Sequence, residues 1–156
     1  YDRTQCCRTG ITMPQISRSA LVPFSAEQMF KLVNDVLTYP DFLPGCVGSK
    51  LIKSTPEEMI ASVQVSKAGI SKTFTTHNFL KTNERVDMRL VDGPFRKLTG
   101  GWVFTALDDN ACKVEFQLDF EFTNKLIELA FGRIFKDLTN NMVQAFTQRA
   151  KEIYRD

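Results

Sequence analysis

One histidine and four cysteines are the side chains of this 156-residue chain best suited to nucleophilic, redox or metal chemistry. Their spacing supports little of it. His77 follows Thr75 and Thr76 with no acid nearby in sequence to orient an imidazole, and a single histidine removes any His-pair mechanism and most metal sites. Cys6, Cys7, Cys46 and Cys112 form no C-x-x-C pair. Cys46 and Cys112 are therefore expected to be small buried hydrophobes, as suits a reducing cytosol. No glycine-rich phosphate loop, G-x-S-x-G or H-E-x-x-H occurs. The residues thus predict no catalytic set, no metal and no tightly held cofactor. An enzyme built on this chain would have to draw a general acid or base from a Glu, Asp or Tyr inside a cavity. Turnover of a hydrophobic substrate that is lost on altering His77 or Tyr39 would be its signature.

The other chemistry on offer is apolar. Thirteen phenylalanines are a large hydrophobic payload for one domain. Their positions depend on the elements that carry them. From Cys112 to Phe122, Cys, Val, Phe, Leu, Phe and Phe alternate with Lys, Glu, Gln, Asp and Glu, which predicts a strand of roughly 37 Å with one dry and one wet face. Further strands are expected at Ile16–Val22, Met59–Val65, Ile70–Leu80, Val86–Leu90 and Phe95–Leu107, the last with a bulge or bend at Gly100-Gly101. Ser25 and Gln28 form a capping box that opens a first helix carrying Met29, Phe30, Leu32, Val33 and Val36. Tyr39 to Cys46, with two prolines and a glycine among aromatic residues, reads as a compact apolar turn. Thr123 or Asn124 caps a last helix running to about Tyr154. Its stripe comprises Ile127, Phe131, Ile134, Leu138, Met142, Ala145 or Phe146, Ala150 and Ile153. An unbroken helix of roughly 45 Å needs a long apolar surface to lie on, and a sheet dry on one face supplies it. The prediction is an α+β fold with a curved antiparallel sheet of about seven strands around a long C-terminal helix.

Composition sets outer bounds. Hydrophobic residues make up 43% and charged residues 24%, a globular balance, and the formal net charge of +2 does not by itself signal nucleic acid. No apolar run approaches the roughly 18 residues of a membrane span, so membrane contact is expected to be peripheral at most. Residues 1–12 are polar and without periodicity, and are expected to be a disordered tail or cloning remnant ahead of a single domain over 13–156.

Several stretches carry a resemblance. Phe42-Leu43-Pro44-Gly45-Cys46, Val65 to Lys72, Val91-Asp92-Gly93-Pro94-Phe95, Leu98 to Phe104 and Leu118 to Phe135 are similar to the bacterial ribosome association toxins, once described as oligoketide cyclases. They resemble more distantly the mitochondrial coenzyme Q-binding proteins. Both groups have the helix-grip fold of START and Bet v 1 proteins. The resemblance runs from Met13 to about Arg155. It implies a cytoplasmic binding protein for a polyprenyl quinone such as ubiquinone, or for a lipid, in support of respiration. It also implies binding to the large ribosomal subunit so that subunits cannot associate, with an antitoxin protein as a further partner and no role for DNA. The older label implies, as the alternative, a cyclase or dehydrase acting on a hydrophobic substrate in the same cavity.

Those expectations attach to particular residues. A gap between sheet and helix would be lined by Phe74, Met88, Trp102, Phe104, Phe116, Phe120, Phe131, Phe135, Leu138 and Met142. Its mouth would be flanked by the rigid turns holding Tyr39, Phe42 and Leu43 and, opposite, Pro94 and Phe95. Between Lys50 and Lys97 nine basic residues face five acids. If Lys67, Lys72, Arg85, Arg89, Arg96 and Lys97 gather on the wet face, they form a modest basic patch for ribosomal RNA phosphates. Exposed aromatic stacking residues are not evident from the sequence.

Overall fold

The computed structural model describes residues 15–154. The expected tail at residues 1–12, with Cys6 and Cys7, lies outside them. The elements in order are β1 (Gln15–Val22), α1 (Ala26–Asn34), α2 (Tyr39–Phe42), β2 (Cys46–Ser54), β3 (Glu58–Lys67), β4 (Ile70–Lys81), β5 (Arg85–Asp92), β6 (Phe95–Asp108), β7 (Ala111–Phe122), α3 (Lys125–Asn140) and α4 (Met142–Tyr154). One seven-stranded antiparallel sheet has the order β1-β7-β6-β5-β4-β3-β2. Every sequential connection within it is a hairpin except the first. Residues 23–45 carry the chain from one edge of the sheet to the other, and this crossing holds α1 and α2.

Local chemistry explains the start of α1. Ser25 Oγ accepts from the Gln28 amide at 3.1 Å, and Gln28 Oε1 accepts from the Ser25 amide at 2.9 Å, closing the capping box. The alternation in β7 is realised in full. Cys112, Val114, Phe116, Leu118, Phe120 and Phe122 are all buried. The register extends their face across Ile16, Ala20 and Val22 on β1 and Leu98, Trp102 and Phe104 on β6. It continues through Val86 and Met88 on β5 and Phe74 and Asn78 on β4 to Val63 and Met59 on β3. The C-terminal helices cover this face, as a helix-grip arrangement requires.

Three expectations need correction. The last helix is not continuous: it breaks at Asn141, whose φ of −101° and ψ of 3° leave the helical region. Asn141 Nδ2 donates to the Asp137 carbonyl at 2.8 Å, and the Thr139 hydroxyl donates to the Phe135 carbonyl at 3.0 Å. Such back-bonding loosens a helical turn. Arg18 Nη2 on β1 then holds Asn140 Oδ1 at 2.6 Å and ties the joint to the sheet edge. Beyond the break Val143, Phe146 and Ala150 are buried, while Ile153, expected in the stripe, is exposed.

Gly100 and Gly101 do not form a bulge either. The β6 register runs through both on each side, and the irregularities lie near Arg96 and Leu107. The glycines answer a different need: their φ values are 151° and 153°, and a Cβ would stand 2.1 Å from the Gln117 carbonyl oxygen at Gly100 and 1.9 Å from that of Val86 at Gly101. Finally, β2 has no counterpart among the six expected segments. From Lys50 to Ser54 this edge strand is exposed on both faces, so it carries no alternation to read.

Candidate functional site

Between the sheet and the broken helix lies an internal void of about 70 Å³. Strands β3 to β7 floor it with Ala61, Val63, Phe74, Thr76, Asn78, Met88, Leu98, Trp102, Phe116 and Leu118. The helix joint roofs it with Phe135, Leu138, Thr139 and Met142, and the crossing segment closes one side with Val36, Tyr39 and Leu43. The void lies under the interruption of the helix, with Leu138 and Thr139 before it and Met142 after it in the lining. At 70 Å³ it is much smaller than a usual ligand pocket of roughly 300–1,000 Å³. A ligand would have to enlarge it. The unbranched side chains of Met88 and Met142 in its lining are the ones that repack at least cost.

Seven side chains expected at the cavity line this void: Phe74, Met88, Trp102, Phe116, Phe135, Leu138 and Met142. Phe104, Phe120 and Phe131 do not. Phe104 meets Phe30 edge-on at 5.9 Å and stacks 6.3 Å from Trp102. Phe120 and Phe131 pack around Phe135 at 4.9 and 6.0 Å. These three lie to either side of the void along the sheet and fill solid core.

The expected mouth divides in the same way. Tyr39 and Leu43 border the void, whereas Phe42 lies edge-on to Phe146 at 5.1 Å with the Arg149 guanidinium over its ring, 5.2 Å from the centroid. Phe95 is not at an opening: it is buried against Phe74, Phe120, Phe122 and Phe135. The Pro94 carbonyl accepts from the Thr123 amide at 3.1 Å, which closes that end.

The lining holds no carboxylate, imidazole, guanidinium or ammonium group. Its one phenol is committed, since the Tyr39 hydroxyl donates to the Val33 carbonyl. Burial foremost, then the neighbouring Cys46 thiol and Asp35 carboxylate, holds Tyr39 well above the usual phenol range, so it stays protonated at neutral pH. Thr139 is likewise satisfied by the Phe135 and Lys136 carbonyls at 3.0 and 3.2 Å. Asn78 differs. It is 6% exposed, and its Oδ1 is buried with no hydrogen-bond partner among the described residues. Leaving a buried amide oxygen unpaired costs about 1–3 kcal/mol. Sequence reasoning overlooked Thr76 and Asn78, although both share the parity of Phe74 on β4. Polar residues on an otherwise dry face were the available signal.

His77 lies on the other face of β4 from the void and does have an acid: its Nε2 is 2.7 Å from Glu58 Oε1, and it stacks on Phe79 at 4.3 Å. The cross-strand register supplies the partner that the linear sequence does not show. Phe79 is also 38% exposed, with the Arg89 guanidinium 5.4 Å from its ring, so an exposed aromatic surface is present after all. The bond from His77, then the charge of Lys53, holds Glu58 below the ordinary glutamate range. Its folded value is thus below its unfolded one. The stability this contact adds is present above the unfolded value and is lost as pH falls through the lowered folded value. Carboxyl NMR titration is expected to place the Glu58 midpoint below that of free glutamate, and His77→Ala is expected to raise it. An unchanged midpoint in the variant would contradict the assignment.

The six basic residues do not share a face. Arg85 and Arg89 lie on the outer face of β5, with Arg85 Nη2 2.9 Å from Asp87. Lys97 is opposite Glu121, and Arg96 is paired with Glu121 at 3.2 Å. Lys67 is opposite Ile70 and Lys72 opposite Val65, on the cupped side at the rim of the β3–β4 hairpin. Lys72 has the parity of Phe74, which is why the expected single patch does not assemble. Cys46 and Cys112 are free and buried, as expected. Among the described residues no three His, Cys, Asp or Glu side chains are placed to hold a metal, and no helix is long and apolar enough to cross a membrane.

Comparison with known proteins fits this geometry. The family model described as "Polyketide cyclase / dehydrase and lipid transport" matches residues 22–147. The "Ribosome association toxin RatA" of Escherichia coli (strain K12) is 70% identical over 144 residues, covering 92% of this chain and 91% of that protein. The mitochondrial "Coenzyme Q-binding protein COQ10 homolog B" of Xenopus laevis is 27% identical over 144 residues, covering 90% of this chain and 59% of that protein. Among solved structures, the Zhui aromatase/cyclase from Streptomyces sp. R1128 superposes with a TM-score of 0.80 at 16% identity, covering 92% of this chain and 97% of that one. At that identity the likeness is one of fold.

Proposed function

The chain belongs to the polyketide cyclase/dehydrase and lipid transport family, and within it to the ribosome association toxins; from that premise we propose that it is a noncatalytic cytoplasmic binder of a polyprenyl quinone or related lipid that also engages the large ribosomal subunit and keeps the small subunit from joining it. The observation that carries the binding half is the void itself: an apolar hollow beside the only tryptophan, with no titrating group available for catalysis. Burying 300 Å² or so of an apolar tail is worth several kcal/mol before the costs of association. That is enough to offset the repacking of Met88 and Met142. The cyclase reading would need an acid or base at the void, and its one phenol is bonded to backbone.

The ribosome half draws its support from the close relatives' name and from the outer-face cations Arg85, Arg89 and Lys97. Two experiments test the reading. Organic extraction of protein purified from a quinone-producing host, followed by mass spectrometry, is expected to release an isoprenoid in near-stoichiometric amount. Its absence, with failure to load ubiquinone from detergent, would overturn the binding half. Sucrose-gradient profiles of purified subunits are expected to lose the monosome peak when the protein is added. Unchanged assembly would overturn the ribosome half. An antitoxin partner is proposed on the same relatives' name alone.

A further inference from the structure

Helix α3 buries Phe131, Phe135 and Leu138 against the sheet, and its opposite face is apolar in part as well. There Leu126 and Leu129 are 75% and 76% exposed, more than any other large hydrophobic side chain among the described residues. They are neighbours at i, i+3 on the helix surface, with the exposed Ala130 beside them. The same face carries Lys125, Arg133 and Lys136, all exposed, and one acid, Asp137. More positive charge lies at this end of the molecule. Thr75 is opposite Asp92 and Phe95 opposite Phe122, so the β3–β4 hairpin, the β5–β6 turn and the start of α3 gather at one end of the sheet. Phe74 meets Phe135 at 5.6 Å, which sets the first part of β4 beside α3. Lys67 and Lys72, on the cupped side of that hairpin, therefore lie on the helix side of the sheet. With the three cations of α3 they outnumber Asp92, Glu128 and Asp137. Among the described residues only Lys125 of the five has a carboxylate close by, Glu128 at 3.8 Å.

We propose that the outer face of α3, together with Lys67 and Lys72, docks on an anionic lipid membrane surface, from which the apolar ligand is collected. Leu126 and Leu129 enter the boundary between headgroups and acyl chains, while the cations meet the lipid phosphates. A second copy of the chain fits this face badly, because a two-fold contact would set its cations against themselves. An RNA backbone would engage the cations but leave both leucines in water. A molecule as apolar as a polyprenyl quinone resides in a bilayer and not in water, so a protein that takes it up must meet the bilayer. Docking brings lipid within one helix diameter, about 10 Å, of Phe135 and Leu138, which roof the void from the inner side of the same helix. The docking face stands on observations outside the void; its use in loading rests on the lipid binding proposed above.

Cosedimentation with quinone-free vesicles tests the docking by itself. Wild type is expected to bind phosphatidylcholine vesicles containing about a third phosphatidylglycerol at least about 10-fold more tightly than phosphatidylcholine alone. It is expected to be released as ionic strength rises from about 0.1 M to about 1 M. The Leu126→Ser/Leu129→Ser variant, altered only at exposed positions, is expected to melt as wild type does and to lose about 10-fold or more in vesicle affinity. Lys125→Glu/Arg133→Glu is expected to lose the preference for anionic lipid. The serine variant is further expected to load ubiquinone from detergent but not from vesicles, and to keep its effect on subunit joining. Equal binding to neutral and anionic vesicles, or unchanged vesicle binding in the serine variant, would overturn the docking face. Loss of the effect on subunits with vesicle binding intact would assign the face to the ribosome and overturn it equally. Wild type that binds vesicles yet takes up ubiquinone from neither vesicles nor detergent would overturn the lipid-binding reading and leave the docking face standing.

Discussion

Gly101→Ala is expected to lower stability by about 3–5 kcal/mol, a large share of the roughly 5–15 kcal/mol that holds a domain folded. The reason is geometric. The new Cβ would sit 1.9 Å from the Val86 carbonyl oxygen and 3.1 Å from the Asp87 Cα, so relief requires β5 to move away from β6. The φ of 153° would be strained for alanine even with space to spare. Gly69→Ala separates the two effects, because Gly69 has a φ of 84° but nothing within 4 Å of the added atom. It is expected to cost only about 1–2 kcal/mol. Urea denaturation of both variants measures the difference, and equal losses would show that backbone conformation, not strand approach, sets the requirement for glycine. The consequence reaches the site, since Trp102 follows Gly101 and floors the void.

Phe135→Ala is expected to cost about 3–5 kcal/mol and to convert the void into a true cavity. Phe135 is 1% exposed and stands at the centre of an aromatic cluster, 4.8 Å from Phe95, 4.9 Å from Phe120, 5.6 Å from Phe74, and 6.0 Å from both Phe122 and Phe131. It also roofs the void, so the space it vacates joins the existing 70 Å³. A dry cavity of that kind takes up small apolar molecules. Thermal melts with and without benzene are expected to show the variant recovering several degrees and the wild type little. A variant that benzene does not stabilise would mean that the helix joint had collapsed into the space.

How much of this was legible depends on which physical signal each residue carried. The period-two alternation of β7 and the Ser25–Gln28 capping box are local, and both were readable without tertiary information. Strand β2 was not, because an edge strand wet on both faces has no pattern. The break at Asn141 was hidden because apolar spacing continued across it. What bends the chain there is a set of side-chain bonds, including one from Arg18 122 residues away. At the site, alternation told which face Phe104 and Phe120 occupy, and helical spacing which face Phe131 occupies, but neither told how far along the elements the void extends. They therefore could not separate lining from solid core. Lys72 was misplaced even though its parity matched Phe74, because charge was weighed above register. The Glu58–His77 pair arises from antiparallel pairing of β3 with β4 and has no linear signature.

The central claim is that the space under the helix joint admits an apolar ligand. Trp102 reports on it directly, as the sole tryptophan and part of the lining. Ala61 is 4% exposed and borders the same space, so Ala61→Leu fills the void from the floor. Titration of a singly prenylated benzoquinone into wild type should quench Trp102 fluorescence to a plateau, and in Ala61→Leu should quench it weakly and without saturation. Linear quenching of equal slope in the two proteins would mean collision from solvent and an interior that holds nothing.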